Sequence, residues 1–379
     1  MIQTVALCGS FGLGIVFALI GAFKLQIAKV LNIDDAKVGG LISALMFTSV
    51  IMVLIVGVLV DAWGHKPLAI IGFIVVAACI VFFVSTKSYK MAVLACIFLA
   101  VGGMCLNTVA NTLMPIVLFG GENPPAASNL GNIAFGFGAF ITPFLVGILL
   151  RKLGFHGTGY VIALIAFIPI IFALIATYPV VPTGFQISDA LSLLAKGIII
   201  TASLALFCYI ALEVSMGGWI STYLSDVGFE PRGANIVLSI FWVGLMAGRL
   251  IAAGFGVKPI VTPELGVAPI VVLSIVAVVT ILLMIIAKSK PLAAFAVILT
   301  GLVFGPIFPT IVGVMFTKIE SALYGSAFGI SFAIGLLGGS TIPAAIGIYS
   351  KGKTIQKSLV IAMITAFVLF IIAIIMGQF

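Results

Sequence analysis

The chain has 379 residues, 63% of them hydrophobic and only 7% charged, with a formal charge of +8. Its mean hydropathy of +1.41 excludes a soluble domain, which carries roughly 25% charged residues, and points to a polytopic membrane protein whose helices satisfy their own backbone groups. The apolar runs are continuous and do not alternate, which excludes a β-barrel; the bases are scattered through loops, with no basic run interleaved with aromatics, which excludes a nucleic-acid surface.

A helical crossing needs about 20 mostly apolar residues. Twelve segments meet this: 4–31, 38–60, 67–86, 90–118, 127–150, 159–181, 193–224, 233–255, 266–287, 291–317, 323–349 and 355–377. The first has no basic n-region or small-residue cleavage site and continues unbroken to Leu31, so it is read as a membrane helix and not as a signal peptide. The breaks carry turn residues or charge, as in Asn32-Ile-Asp34-Asp35 and Gly120-Gly-Glu-Asn-Pro124-Pro125. All five cysteines (Cys8, Cys79, Cys96, Cys105, Cys208) fall in apolar spans without metal spacing and read as small buried hydrophobes. Gly138, Pro143, Gly147 and Ile148 recur as Gly338, Pro343, Gly347 and Ile348, in the fifth and eleventh spans. The expected fold is therefore an all-α membrane protein: twelve transmembrane helices in two pseudo-symmetric six-helix bundles, 1–181 and 193–379, joined by a short linker at 182–192.

Polar residues inside spans are costly and mark pathways or coupling sites. Taken along the chain, Lys24 near the end of the first span reads as a snorkelling base. The stretch Gly57-Val-Leu-Val-Asp61-Ala-Trp-Gly64-His65-Lys66-Pro67 ends one apolar run and turns on a glycine. Charge contacts of Asp61 and Lys66, with tight packing at Gly57 and Gly64, are expected to hold a closed state, a gating role. Asn107 and Asn111 share one helix face and, with Thr108 and Thr112, offer the donors and acceptors that sugar hydroxyls require; interhelical hydrogen bonding is the alternative. Asn129 and Asn132 are assigned a similar part at the head of the fifth span. Glu213, near the middle of the seventh span, is the lone mid-membrane acid, and so the candidate proton carrier and a candidate solute contact; a protonated or paired structural carboxyl holding two helices together is the alternative. Trp219 and Trp242 read as sugar-stacking rings or as packing anchors. Arg249 sits at a worn echo of the 57–67 stretch, Gly248-Arg249-Leu250…Gly256-Val-Lys258-Pro259, and joins the gating set as a base pairing with helix ends or lipid phosphate. Pro143, Pro306, Pro309 and Pro343 can kink their helices.

The 57–67 stretch resembles the loop between the second and third helices of the major facilitator superfamily of secondary transporters. A narrower resemblance, to its fucose/glucose/galactose permease branch, rests on Cys105–Thr112, Asn129–Pro143, Glu213 with Gly217-Gly218-Trp219, Phe241-Trp242 with Gly248-Arg249, and Phe304–Pro309. The resemblance implies alternating access to a site between two six-helix halves, proton symport, and cytoplasmic termini in the cell (inner) membrane. Two positions depart from that branch. Asn107 stands where an acid is common, and Gly21 where the first helix carries one. Coupling then falls to Glu213, with sodium or an uncoupled facilitator as the alternative.

Family topology places five bases inside (Lys66, Lys196, Arg249, Lys258, Lys318) and the other thirteen of 18 outside, against the positive-inside rule. The expected function is secondary transport of a sugar or sugar-like solute by a monomer, with no cofactor and no metal. An organic-anion or drug exporter and a transporter-like sensor are the alternatives. An enzyme is not expected: no H-E-x-x-H, no G-x-S-x-G and no paired mid-span aspartates occur, and His65 and His156 are read as loop residues.

Overall fold

The structure is a computed structural model that describes residues 1–180, 185–254 and 258–379. Part of the expected linker and Gly256 of the worn echo lie outside the described residues. The chain is helical: α1 (Ile2–Ala22), α2 (Lys24–Leu31), α3 (Asp35–Trp63), α4 (His65–Ser85), α5 (Tyr89–Val117), α6 (Pro124–Phe167), α7 (Ile170–Ile175), α8 (Ile187–Ser192), α9 (Gly197–Asp226), α10 (Pro231–Ala253), α11 (Ala268–Ile286), α12 (Lys290–Phe304), α13 (Ile307–Phe316), α14 (Tyr324–Tyr349), α15 (Ile355–Ser358) and α16 (Val360–Met376).

Among the described residues, eleven helical stretches are long and apolar enough to cross a membrane. One of them, Pro124–Ile175, has 52 residues. At 1.5 Å per residue it would run about 78 Å, more than twice the roughly 30 Å hydrocarbon core. It is two crossings fused at Gly154, whose φ of 66° and ψ of −174° break the helical path. Twelve crossings result.

The ends of these helices follow from local chemistry. Asn32, in the left-handed region, stops α2. The Asp34 carboxylate caps α3 by accepting from the Lys37 N–H at 2.9 Å. Pro231 opens α10, and Gly254 closes it at φ 67°. One expectation fails: the first span does not continue to Leu31. Phe23 leaves helical geometry at φ −98°, ψ 9°, so α1 ends at Ala22 and Lys24 opens the short α2, exposed.

Contacts divide the chain into two compact units. The first comprises Met1–Gly120, Gly131–Ala190 and Ser321–Gly329; the second comprises Gly121–Leu130, Leu191–Glu320 and Ile330–Phe379. The stretches 121–130 and 321–329 thus pack within the unit built mainly from the other half of the sequence. Inside each unit the repeated glycine does the same work. A side chain at Gly138 would run into the Phe11 carbonyl oxygen, and one at Gly338 into the Phe207 carbonyl oxygen. Small residues at these crossings let backbones touch, which is how helices associate without a hydrophobic gradient.

Candidate functional site

In the first unit, Asp61 is buried at the end of α3. Its Oδ1 accepts from the Gly325 N–H at 2.8 Å and its Oδ2 from the Ser326 N–H at 2.7 Å. These amides lie in the first turn of α14, where N–H groups lack intrahelical acceptors. The carboxylate therefore caps a helix 264 residues away in sequence, with the favourable sign for a helix N-terminus. The approach depends on glycine. A side chain at Gly57 would strike the Gly325 carbonyl, and one at Gly325 would strike the Gly57 carbonyl and Asp61 itself. One turn on, Gly329 lies over the Val53 carbonyl.

The rest of the motif differs from expectation. Lys66 is exposed and makes no ion pair with Asp61 among the described residues; the carboxylate accepts from the two backbone amides. Gly64 contributes through its conformation, φ 81° and ψ 176°, which ends α3 and starts α4 one residue later. Neither histidine is in a loop. His65 opens α4 and sets Nε2 3.0 Å from Thr112 Oγ, while His156 is helical, two residues past the Gly154 break.

The same unit gathers three of the predicted asparagines, all buried. Asn111 Nδ2 donates to Asn107 Oδ1 at 2.8 Å and to the Asn107 carbonyl at 3.0 Å, and Asn132 Nδ2 reaches Asn111 Oδ1 at 3.5 Å. Beside them the Thr108 hydroxyl has no hydrogen-bond partner among the described residues. Thr112 is turned elsewhere: its hydroxyl donates to the Thr108 carbonyl at 2.7 Å. Asn129 does not join the cluster. It belongs to the second unit, where Nδ2 donates to the Pro125 carbonyl at 2.9 Å and to Thr310 Oγ at 3.1 Å, leaving Oδ1 unpartnered among the described residues.

The second unit holds Glu213, and the structure corrects its reading as a lone acid. Glu213 Oε1 lies 3.4 Å from Arg249 Nη2, with side-chain exposures of 20% and 2%. Arg249 is correspondingly not a base at a helix end reaching for lipid. It is buried on α10, and its Nε donates to the Gly305 carbonyl at 3.1 Å. Tyr209, one turn before Glu213 on α9, is fully buried, and its hydroxyl has no hydrogen-bond partner among the described residues. The hydroxyl of Ser215 is buried without a partner among the described residues. An acid and a base thus meet in a largely apolar interior, where gaining or losing one proton unbalances the pair.

The tryptophans frame α9. Trp219 Nε1 donates to the Pro343 carbonyl at 3.1 Å, and its ring covers Gly347. Trp242 packs on Gly217 and meets the Phe241 ring edge-on at 5.2 Å. Among the described residues no group of His, Cys, Asp and Glu is arranged to hold a metal ion.

Sequence reasoning missed Tyr209 and the Glu213–Arg249 pair. The available signal was the four-residue spacing of Tyr209 and Glu213, which places them on one helix face. It also missed Gly325 and Ser326 as partners of Asp61. There the signal was Gly325-x-x-x-Gly329, a small-residue stripe opening a span.

The family model described as Major Facilitator Superfamily matches residues 5–343. The glucose/galactose transporter of Brucella abortus biovar 1 (strain 9-941) is 26% identical over 322 residues, 77% of this chain and 73% of that protein. Bypass of stop codon protein 6 of Saccharomyces cerevisiae is 27% identical over 171 residues; these are 43% of this chain and only 34% of that protein, so the likeness spans about a third of the yeast relative. Among solved structures, the E. coli fucose:proton symporter superposes with a TM-score of 0.82 at 19% identity, covering 99% of this chain and 98% of that one.

Proposed function

Because the chain belongs to the Major Facilitator Superfamily, and is thus a multi-pass membrane transporter and not an enzyme, we propose that it moves a sugar or sugar-like solute by alternating access, coupled to a proton that Glu213 binds. The observation that carries this reading is the Glu213–Arg249 pair, in which a carboxylate meets an almost fully enclosed base within a span. Protonating Glu213 there leaves Arg249 unbalanced, a change large enough to bias a conformational equilibrium. The Brucella relative is named for glucose and galactose, and the fold neighbour is a fucose:proton symporter. The asparagine chain Asn107–Asn111–Asn132, with the Thr108 hydroxyl, supplies the neutral donors and acceptors a sugar needs. In this reading the protein is a monomer in the cell membrane with cytoplasmic termini, and Asp61 gates.

The test is uptake by purified protein in liposomes, using radiolabelled glucose, galactose and fucose with and without an inward proton gradient. Gradient-driven accumulation of one sugar is the expected result. Uptake that ignores pH but follows a sodium gradient, or uptake of organic anions in place of sugars, would overturn the assignment. Within the site, Asn111→Ala removes the donor and acceptor that join Asn107 to Asn132. The expected loss is about 1–3 kcal/mol of sugar affinity, roughly 5- to 150-fold in Kd by equilibrium binding, with the thermal midpoint little changed.

A further inference from the structure

The tenth span is broken. α12 ends at Phe304, α13 begins at Ile307, and the two residues between are Gly305 and Pro306. The break follows from backbone arithmetic. In a continuous helix the Leu302 carbonyl would accept from residue 306 and the Gly305 carbonyl from residue 309. Both are prolines, without an N–H. Two adjacent turns therefore carry carbonyls without their normal donors, inside a membrane span where an unmet polar group is expensive.

α10 meets both of them. Gly248 lies directly on the Leu302 carbonyl, where any side chain would collide with it. The next residue, Arg249, donates its Nε to the Gly305 carbonyl at 3.1 Å. The backbone is brought close enough by glycines on both sides: a side chain at Gly301 would strike the Phe241 carbonyl, and one at Gly305 the Leu245 carbonyl. The other end of the same guanidinium, Nη2, holds Glu213 at 3.4 Å.

We propose that Arg249 is the positioning residue that ties the Glu213 carboxylate to the break in the tenth span, its Nε replacing the backbone N–H that Pro309 cannot give to the Gly305 carbonyl. The planar guanidinium suits this, because it offers donors at fixed angles to two acceptors at once, which a lysine ammonium does not reproduce. Neutralising Glu213 takes the charge out of its hold on Arg249 and weakens it, so the charge state of the acid is transmitted to α12 and α13. The ionisable groups beside Glu213 are Arg249 on α10 and Tyr209 on its own helix. Arg232 at the start of α10, and Lys290 and Lys357 on α12 and α15, which also pack against α9, stand at helix ends. The inference rests on Glu213 as the coupling acid and adds the route by which its proton is felt.

The experiment needs no identified solute. Amide hydrogen–deuterium exchange is measured in peptides covering residues 298–312 of the full-length protein in lipid nanodiscs. The proteins compared are wild type, Glu213→Gln, Pro309→Ala and the double variant. Glu213→Gln is expected to speed exchange of the Gly305 and Thr310 amides about tenfold. Pro309→Ala restores a backbone donor to the Gly305 carbonyl. It should slow exchange and, in the double variant, cancel the effect of Glu213→Gln. Arg249→Lys should reproduce the Glu213→Gln result, and the other variants carry the test if that protein does not fold. Exchange indifferent to Glu213→Gln, or raised equally with and without Pro309, overturns the link. Proton-driven sugar uptake that survives Glu213→Gln overturns the coupling reading instead, and the exchange data then stand or fall separately.

Discussion

Replacing Asp61 by asparagine is expected to slow transport by about 100-fold while solute affinity stays within a few-fold. The carboxylate accepts two short hydrogen bonds, from the Gly325 and Ser326 amides. An asparagine of the same shape has one acceptor oxygen and an NH2 group, which would face the second amide donor to donor. A hydrogen bond to a charged group contributes about 1.5–3 kcal/mol, and the charge at a helix N-terminus adds about 0.3–1 kcal/mol. Losing one bond and the charge weakens the contact by about 3 kcal/mol, close to two factors of ten. That energy acts on the packing of α14 against α3 and not on the asparagine cluster or Glu213, so it changes the balance of conformations and leaves the solute's contacts intact. Comparing initial uptake rates with equilibrium sugar binding in the same preparation separates the two effects. Parallel losses of rate and affinity would mean that Asp61 touches the solute. Gly325→Leu should imitate Asp61→Asn sterically, since Gly325 has the Gly57 carbonyl and the Asp61 carboxylate directly over it.

The fold was legible wherever composition leaves no choice. A membrane span must be long, apolar and self-bonded, so its centre can be read without any knowledge of its neighbours. Its ends are less legible, because one residue decides them. Phe23 breaks the first span without a proline, with only Lys24 after it to hint at an end, and Gly154 joins two crossings into one apparent helix. The polar residues were legible as individuals and not as partners. Asn107 and Asn111 lie on one face by helical spacing alone, and the structure does join them. Asp61 was singled out for charge contacts at the membrane surface, yet its acceptor role involves backbone amides, which leave no side-chain trace in a sequence. The Glu213–Arg249 pair depends on the relative rotation of α9 and α10, which meet closely at contacts such as Gly217 on Trp242. The two prolines four and four residues after Leu302 and Gly305 were the opposite case. The orphaned carbonyls they create follow from counting alone, and only the identity of the donor required the structure.

Substituting Glu213 by glutamine is expected to abolish accumulation of solute against its gradient while leaving solute exchange across the membrane within a few-fold of wild type. Glutamine copies the shape and the neutral charge of a protonated glutamate, and it leaves Arg249 in the same unbalanced state that a bound proton would. If the proton is carried at Glu213, the variant is held in the loaded form. It can still bind solute and exchange it, but it cannot release the proton that returns the empty carrier. The 20% exposure of Glu213 beside the almost fully enclosed Arg249 suits this role, since the acid is the member of the pair that a proton can reach. The pair is also structural to a degree. Removing one partner of a buried ion pair costs about 3–5 kcal/mol in soluble proteins, and glutamine retains a hydrogen-bond acceptor for Arg249, so a loss well below that is expected here. Thermal unfolding therefore distinguishes the cases. A large fall in the unfolding midpoint with neither transport pattern would mark Glu213 as a brace between α9 and α10. Equal loss of binding and exchange at an unchanged midpoint would mark it as a solute contact. Accumulation abolished with exchange retained, at a modestly lowered midpoint, is the outcome that the Glu213–Arg249 geometry supports.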